Sequence, residues 1–393
     1  MTERSDWVAV FSAFALGVAG AVQVGRIAPV APFIQQDLQI DLFTLGWLVS
    51  LITLASAVFG LFAGYWVIRV GLRVSLGIGG VLICTCAALA AFATSVPMLV
   101  GLRIVEGVGY LVVVVAAPTL IAREAAPKDI PFALALWGTF FTLGLGIAAF
   151  AGGAISELVG WRGWFLFSAG LVFAISLAAF LLTPRAEPVS EKQSGIWTTI
   201  SDMPVASWLL GAGFLGVTLL GLAILSVLPT FLVETQGYTP AAAGGATGGI
   251  ALASIAGSLS YGGLARRWSD LIIAWGAATV LVVAVFPAFA SAAGQVQIII
   301  CAAIAVFISG ILVAQTFAAV PGIAGRPDLI GPSNGLIAQL GSIGALSGPP
   351  LVGAFVGATD WRSVSMISAG FALSFVVLFT WAMMANSGAA KKA

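Results

Sequence analysis

Apolar and polar positions fall in long blocks along this chain. Runs of 20 or more mostly apolar residues are separated by short polar breaks, and a helix needs roughly 20 such residues to cross about 30 Å of hydrocarbon. The blocks predict helices over residues 7–34, 43–68, 74–94, 98–122, 131–158 and 164–183. A second set follows over 206–234, 241–265, 271–291, 296–321, 331–357 and 364–384. Strand-like alternation is absent, which argues against an outer-membrane barrel. The first run is too long for a signal peptide, lacks a small-residue cleavage site and carries Arg26 and Pro29, so it reads as a retained first helix.

The expectation is an all-α membrane protein of twelve transmembrane helices. Composition agrees: 60% of residues are hydrophobic and 8% charged, against about 25% charged in an ordinary soluble domain. Basic residues set the orientation. With the N-terminus in the cytoplasm, Arg4, Arg69, Arg73, Arg123, Lys128, Arg185, Lys192, Arg266, Arg267, Arg326, Lys391 and Lys392 fall inside, and Arg162 and Arg362 outside. Both termini are therefore expected in the cytoplasm, and the location expected is the inner membrane of a bacterium. Arg162 and Arg362, each following a tryptophan, read as interface anchors.

The chain also repeats itself. Gly144, Gly153 and the pair Trp161, Arg162 recur 200 residues later as Gly344, Gly353, Trp361 and Arg362, and GYWVIR from Gly64 is echoed by GGLARR from Gly262. Two pseudo-symmetric six-helix bundles are implied, residues 1–183 and 206–393, joined by a polar cytoplasmic linker over 184–205. Parallel halves of this kind are a transporter design with the substrate site near the midplane.

Chemistry is confined to few residues. There is no histidine, so zinc, haem and histidine proton relays are not expected. Cys84, Cys86 and Cys301 lie within spans and read as packing residues. No ATP-binding loop, metal-ligand cluster or cofactor motif is present, which argues against an enzyme or a primary pump, and no nucleic-acid partner is expected. The stretch RIVEGVG, residues 103–109, places Arg103 and Glu106 one turn apart in an apolar run, at an insertion cost of roughly 2.5–3.5 kcal/mol for such a residue at mid-helix. Tyr110 continues that face, and Gln23 lies one turn from Arg26 on the first helix. Two arginines thus share one mid-membrane carboxylate, a net charge of plus one that an anionic substrate would compensate. Glu106 is the expected proton-coupling carboxylate with Arg103 beside it. Arg26 is the expected anion ligand, its planar fork suiting a carboxylate-like group. The plain alternatives are a self-neutralising ion pair for Arg103 and Glu106, a headgroup anchor for Arg26, and close helix packing for Gly144, Gly152, Gly153, Gly344, Gly348 and Gly353.

Twelve helices split six and six, a long central loop and three short signatures together resemble the major facilitator superfamily over nearly the whole chain. The signature between helices 2 and 3 matches at Gly64, Arg69, Gly71 and Arg73, with Ile68 in place of the usual aspartate. Its second copy matches at Gly262, Leu264, Ala265 and Arg267, with Arg266 in that place. The resemblance makes Arg69, Gly71, Arg73 and Arg267 gate residues. The second signature, Arg103 with Gly107 and Gly109, is associated with proton coupling beside the central cavity. The third, a glycine-rich helix with a Gly-Pro pair, is linked with antiporters when in helix 5. Here helix 5 has GLGIAAFAGG without the proline, and the match appears in helix 11 as GALSGPPLVG, which favours uptake over efflux.

Because helices 1, 4, 7 and 10 line the cavity in that fold, the resemblance turns Gln23, Arg26, Arg103 and Tyr110 towards the substrate path. The second half offers Thr218, Ser226, Ser309, Gln315 and Thr316, with Asn334 and Gln339 of helix 11 at the edge. The expected function is secondary active import of a small organic or inorganic anion with protons by a monomer in the lipid bilayer, nearest the cyanate-permease and anion:cation symporter branches. A proton-driven drug or metabolite exporter, and a non-transporting sensor or passive channel, are the alternatives.

Overall fold

A computed structural model describes residues 4–40, 42–183, 195–238, 240–358 and 360–390. Arg185, Lys192, Lys391, Lys392 and most of the expected linker lie outside the described residues. Within them every regular element is helical: α1 (Trp7–Gly25), a 3-10 turn (Ala28–Val30), α2 (Ala31–Leu38), α3 (Leu42–Val70), α4 (Leu72–Ala90), α5 (Val96–Glu124), α6 (Ile130–Trp137) and α7 (Phe140–Leu182). There follow α8 (Ile196–Asp202), α9 (Val205–Gln236), α10 (Pro240–Leu264), α11 (Asp270–Ala288), α12 (Gln295–Ala324), α13 (Pro327–Ala358) and α14 (Arg362–Ala390).

Ten segments among the described residues are long and apolar enough to cross a membrane. One of them, Ile130–Leu182, has 53 residues, more than twice what a crossing needs. It breaks at Gly160, whose φ of 72° and ψ of 173° only glycine adopts readily. Taken as two crossings, and with the 32-residue α13 added, the spans number twelve in an all-helical membrane fold.

Three boundaries differ from the sequence expectation. The first helix does not run to residue 34: it stops at Gly25 and resumes after a 3-10 turn, because Pro29 and Pro32 cannot donate to the preceding helical turn. The fifth span is interrupted between Trp137 and Phe140, where Gly138 lets the backbone lie against Ala314 Cα, 3.3 Å from an added Cβ. The expected polar linker ends in the short helix α8.

Packing divides the chain into two units. The first comprises Met1–Ile130, Phe140–Ser201 and Pro327–Gln339; the second comprises Pro131–Thr139, Asp202–Arg326 and Leu340–Ala393. The internal repeat is visible in each. In the first unit a Cβ on Gly144 of α7 would meet the Val18 carbonyl of α1 at 2.7 Å. In the second, a Cβ on Gly348 of α13 would meet the Leu219 carbonyl of α9 at 2.6 Å, and one on Gly344 would meet the Leu215 carbonyl one turn earlier. Small residues let backbones approach where lipid supplies no hydrophobic drive. Gly153 does not share this role, for a Cβ there would meet no heavy atom within 4 Å.

The first unit contains a second glycine seam, between α3 and the start of α13. A Cβ on Gly60 would lie 2.5 Å from the Gly335 carbonyl, and one on Gly331 would lie 2.8 Å from the Gly64 carbonyl. Gln339 spans the seam, accepting from Leu61 N at 3.1 Å and donating to the Val58 carbonyl at 3.2 Å, and Asn334 Nδ2 donates to Thr119 Oγ1 of α5 at 3.0 Å.

At the break in α7, Arg162 is more than an interface anchor. Its guanidinium pairs with Asp37 at the end of α2 and donates to the Ala93 carbonyl at 3.1 Å, while Trp161 Nε1 also donates to Asp37 at 3.1 Å. This hydrogen bonding, that of Arg162 first, holds the Asp37 carboxyl below the usual carboxylate range.

Gly335→Leu should lower stability by about 1–3 kcal/mol, the cost of forcing bulk into a packed contact, whereas Gly153→Ala should be close to neutral; melting temperatures of the purified variants in detergent would decide. A lowered carboxyl pKa stabilises the fold above the ordinary aspartate value of about 3.9 and ceases to as pH falls through the lowered value. The melting-temperature gap between wild type and Asp37→Asn should therefore be present at neutral pH and shrink in acid below that range. A gap that grew on acidification would contradict the pairing.

Candidate functional site

The intramembrane charges come together in the first unit, on α1, α5 and the part of α7 after Gly160. Arg26 is the C-cap of α1, so its charge sits at the negative end of a helix dipole. The chain break also leaves its carbonyl without a helical donor, and Trp164 Nε1 of α7 donates to it at 3.0 Å. Phe165, the next residue, lies under the guanidinium with its ring centre 4.3 Å from Arg26 Cζ, a cation–π contact strengthened by exclusion of water.

On α5, Arg103 and Gly107 are one turn apart and face α3, as Leu48 and Ile52 face them in return. A Cβ on Gly107 would lie 2.7 Å from the Ile52 carbonyl. The glycine thus admits α3 close enough for Arg103 Nε to donate to the Leu48 carbonyl at 2.9 Å. Gly109 does the same for α4, with a Cβ there 2.8 Å from the Gly79 carbonyl. Tyr110 packs its ring on Gly20 of α1, one turn before Gln23, at 3.3 Å from an added Cβ.

One oxygen organises the centre. Glu106 Oε2 accepts from Arg26 Nη2 at 3.0 Å and from Arg103 Nη1 at 3.0 Å. Arg103 Nη1 also donates to the Gln23 carbonyl at 2.9 Å, and Arg26 Nη1 donates to Gln23 Oε1 at 2.7 Å. Ser168 Oγ lies 3.3 Å from the same Gln23 oxygen. The side chains of Arg26, Arg103 and Glu106 are 0%, 1% and 0% exposed, so no solvent screens the net positive charge. Three polar atoms of this buried group, Arg26 Nε, Arg103 Nη2 and Glu106 Oε1, have no hydrogen-bond partner. Cys86 of α4 is buried within electrostatic range of Glu106 and Arg26.

The remaining expected residues lie elsewhere. Gln315 belongs to the second unit, where its Nε2 donates to the Asp270 carbonyl at 2.6 Å and ties α12 to the start of α11. Asn334 and Gln339 hold α13 to its neighbours as described above. Thr218, Ser226, Ser309 and Thr316 return their hydroxyls to carbonyls of their own helices. Of the expected gate residues, Arg69 stacks on Tyr65 at 3.5 Å and Arg73 on Phe180 at 4.4 Å. Gly71 caps α4 at a φ of 92°, and Arg267 is exposed in the turn after α10. Trp164, Phe165, Ser168 and Cys86 were not anticipated. A hydroxyl one turn after a tryptophan in an apolar run was the available signal for Ser168.

A helical membrane protein built from a repeated six-helix pattern, with a buried charged centre among the described residues, fits the class of multi-pass carriers. The Major Facilitator Superfamily profile matches residues 8–340, and the chain belongs to that family. It is similar to the arabinose-proton symporter of Escherichia coli K12, 29% identical over 161 residues that cover 41% of this chain and 34% of that protein. It is also similar to the multidrug efflux pump LfrA of Mycolicibacterium smegmatis, 32% identical over 193 residues, 48% of this chain and 37% of that one. These matches span about a third of each curated relative's length. Among solved structures, the human organic anion transporter MFSD10 (TETRAN) superposes with a TM-score of 0.77 at 16% identity, covering 95% of this chain and 99% of that one. The Escherichia coli fucose:proton symporter FucP gives 0.77 at 18%, covering 96% and 99%. At these identities the likeness is one of fold.

Removing a buried partner costs about 3–5 kcal/mol when it strands a charge. Glu106→Leu strands two arginines, whereas Arg103→Leu leaves Glu106 paired with Arg26. The glutamate variant should therefore melt at a clearly lower temperature than the arginine variant, and equal losses would show that Glu106 is not shared.

Proposed function

We propose that this protein is a secondary transporter that moves a small anionic solute together with a proton across the cytoplasmic membrane of a bacterium. It works as a monomer with both termini inside, and rocks two six-helix halves, residues 1–183 and 206–393, joined by the linker 184–205. The supporting observation is the single oxygen of Glu106 that holds two buried arginines at 3.0 Å each. With Glu106 ionised the centre carries a net charge of plus one. Protonating Glu106 raises that to plus two and releases both guanidinium groups, and binding a monovalent anion returns it to plus one. Proton and anion together leave the buried charge unchanged, whereas the proton alone raises it at a steep electrostatic cost in low dielectric, and the anion alone meets an ionised Glu106 that already holds both guanidinium groups. That is the thermodynamic condition for coupling, because each ligand improves the affinity for the other.

The centre is sealed in this conformation, so the exchange belongs to another state of the cycle, reached as the helices around Arg26 part. The break at Arg26 gives α1 a hinge there. The gate role of Arg69, Gly71, Arg73 and Arg267 rests on their match to the family signature.

A second reading, proton-driven export of a drug or metabolite, is favoured by the likeness to a multidrug efflux pump. In it Glu106 carries the proton and the solute bears no negative charge.

The test uses proteoliposomes loaded with a pH-sensitive dye and given small carboxylates, sulfonates or cyanate, with protein-free liposomes as baseline. Wild type should admit protons with an accepted anion, at a rate at least tenfold above Glu106→Gln, while the variant should retain exchange of internal for external solute. Accumulation against a gradient by Glu106→Gln at the wild-type level would make Glu106 a structural group and sink the reading.

A further inference from the structure

The donors left over in the buried centre narrow the anion to a chemical class. A guanidinium has two edges that can each give a pair of parallel N–H bonds, one formed by the two Nη groups and one by Nε with Nη2. Gln23 Oε1 holds Arg26 Nη1 at 2.7 Å and is itself met by Ser168 Oγ at 3.3 Å, so one nitrogen of the first edge is already engaged. The second edge is half used: Nη2 binds Glu106 Oε2 at 3.0 Å, while Nε is buried with no partner. The other oxygen of Glu106 is equally without a partner, as is Arg103 Nη2. A carboxylate that could have engaged Arg26 at two points therefore engages it at one, because its Oε2 is drawn between two arginines. Each unmade bond in such a setting leaves a desolvated polar atom uncompensated.

We infer that the transported anion is a carboxylate, seated by its two oxygens on the Nε and Nη2 edge of Arg26 when Glu106 is neutral, with Arg103 Nη2 as a third donor. This rests on the reading of Glu106 as the proton site. Gln23 and Ser168 are then positioning residues: they fix the guanidinium so that this edge, and not the terminal one, is offered. The Phe165 ring beneath Arg26, 4.3 Å from Cζ, covers one face of the guanidinium and confines the ligand to its plane. A linear anion such as cyanate, or chloride, meets only one donor of the edge at a time and leaves the other unmade.

Glu106→Gln imitates the protonated carboxyl and can be examined as the purified full-length protein. Its melting temperature should rise with acetate or propionate in a concentration-dependent way, as binding to the native state requires, and should not rise with cyanate or chloride at the same ionic strength. Adding Arg26→Lys, which keeps the charge but lacks the edge, should abolish the rise. Adding Gln23→Leu should weaken the preference for carboxylates over cyanate at least severalfold without removing anion binding. Equal shifts with acetate and cyanate would overturn the carboxylate inference and leave the proton reading intact, while the absence of a shift with any anion would overturn the anionic reading beneath it. Wild-type proteoliposomes give a second measurement that depends on no variant: carboxylates should drive dye-reported proton entry, and cyanate driving it equally well would overturn the inference.

Discussion

A carboxylate oxygen shared by two arginines inside a membrane bundle sets the terms for the first unit. Three charges out of water are expensive, and their mutual attraction offsets that cost only when geometry is close and the spare donors find acceptors. The surrounding elements meet this demand through the backbone. Gly107 brings α3 near enough to supply the Leu48 carbonyl, α1 supplies that of Gln23, and the break in α1 frees the Arg26 carbonyl for Trp164. The apolar wall of Ile27, Val30, Leu48, Trp161, Trp164 and Phe165 then excludes water from a group that remains incompletely satisfied. Arg26 Nε, Arg103 Nη2 and Glu106 Oε1 are the three atoms left over, and the proposed coupling rests on them.

Much of this was legible in the sequence. Block hydropathy located nearly every crossing, because a twenty-residue apolar run has one stable form in lipid. Arg26, Gln23, Arg103 and Glu106 stood out because charge in an apolar run has no bland explanation of equal weight. Local breaks were harder. The break at Gly160 falls in the gap expected between the spans 131–158 and 164–183, whereas those after Gly25 and Trp137 fall inside runs that read as continuous helix. Gln315, Asn334 and Gln339 look in sequence like any polar residue on a cavity helix, yet their amides are engaged by carbonyls and hydroxyls of neighbouring helices. Partners of that kind are chosen by packing, which spacing along one chain does not encode.

The two repeats share packing and differ in chemistry. Gly144 of α7 against α1 and Gly344 of α13 against α9 make the same close approach 200 residues apart, so the packing recurs in both copies. The charged residues do not: α12 contains none, and the one charge on α9, Glu234, is exposed near its end. The frame is symmetric, and the buried ion cluster lies in one copy of it.

The seam between α3 and α13 has an energetic implication. Where Gly60 and Gly64 meet Gly331 and Gly335, backbone lies against backbone, flanked by the side chains of Ile68 and Gln339. The four glycines have no rotamers to freeze on closing, so the side-chain entropy of this contact falls on its flanking residues, Gln339 above all. Dispersion between the bare backbones weakens within about an ångström of separation, and beyond that the Gln339 side chain is what still links the two helices. Most of the contact energy is therefore confined to a narrow range of separations, with one side chain tethering the pair across it.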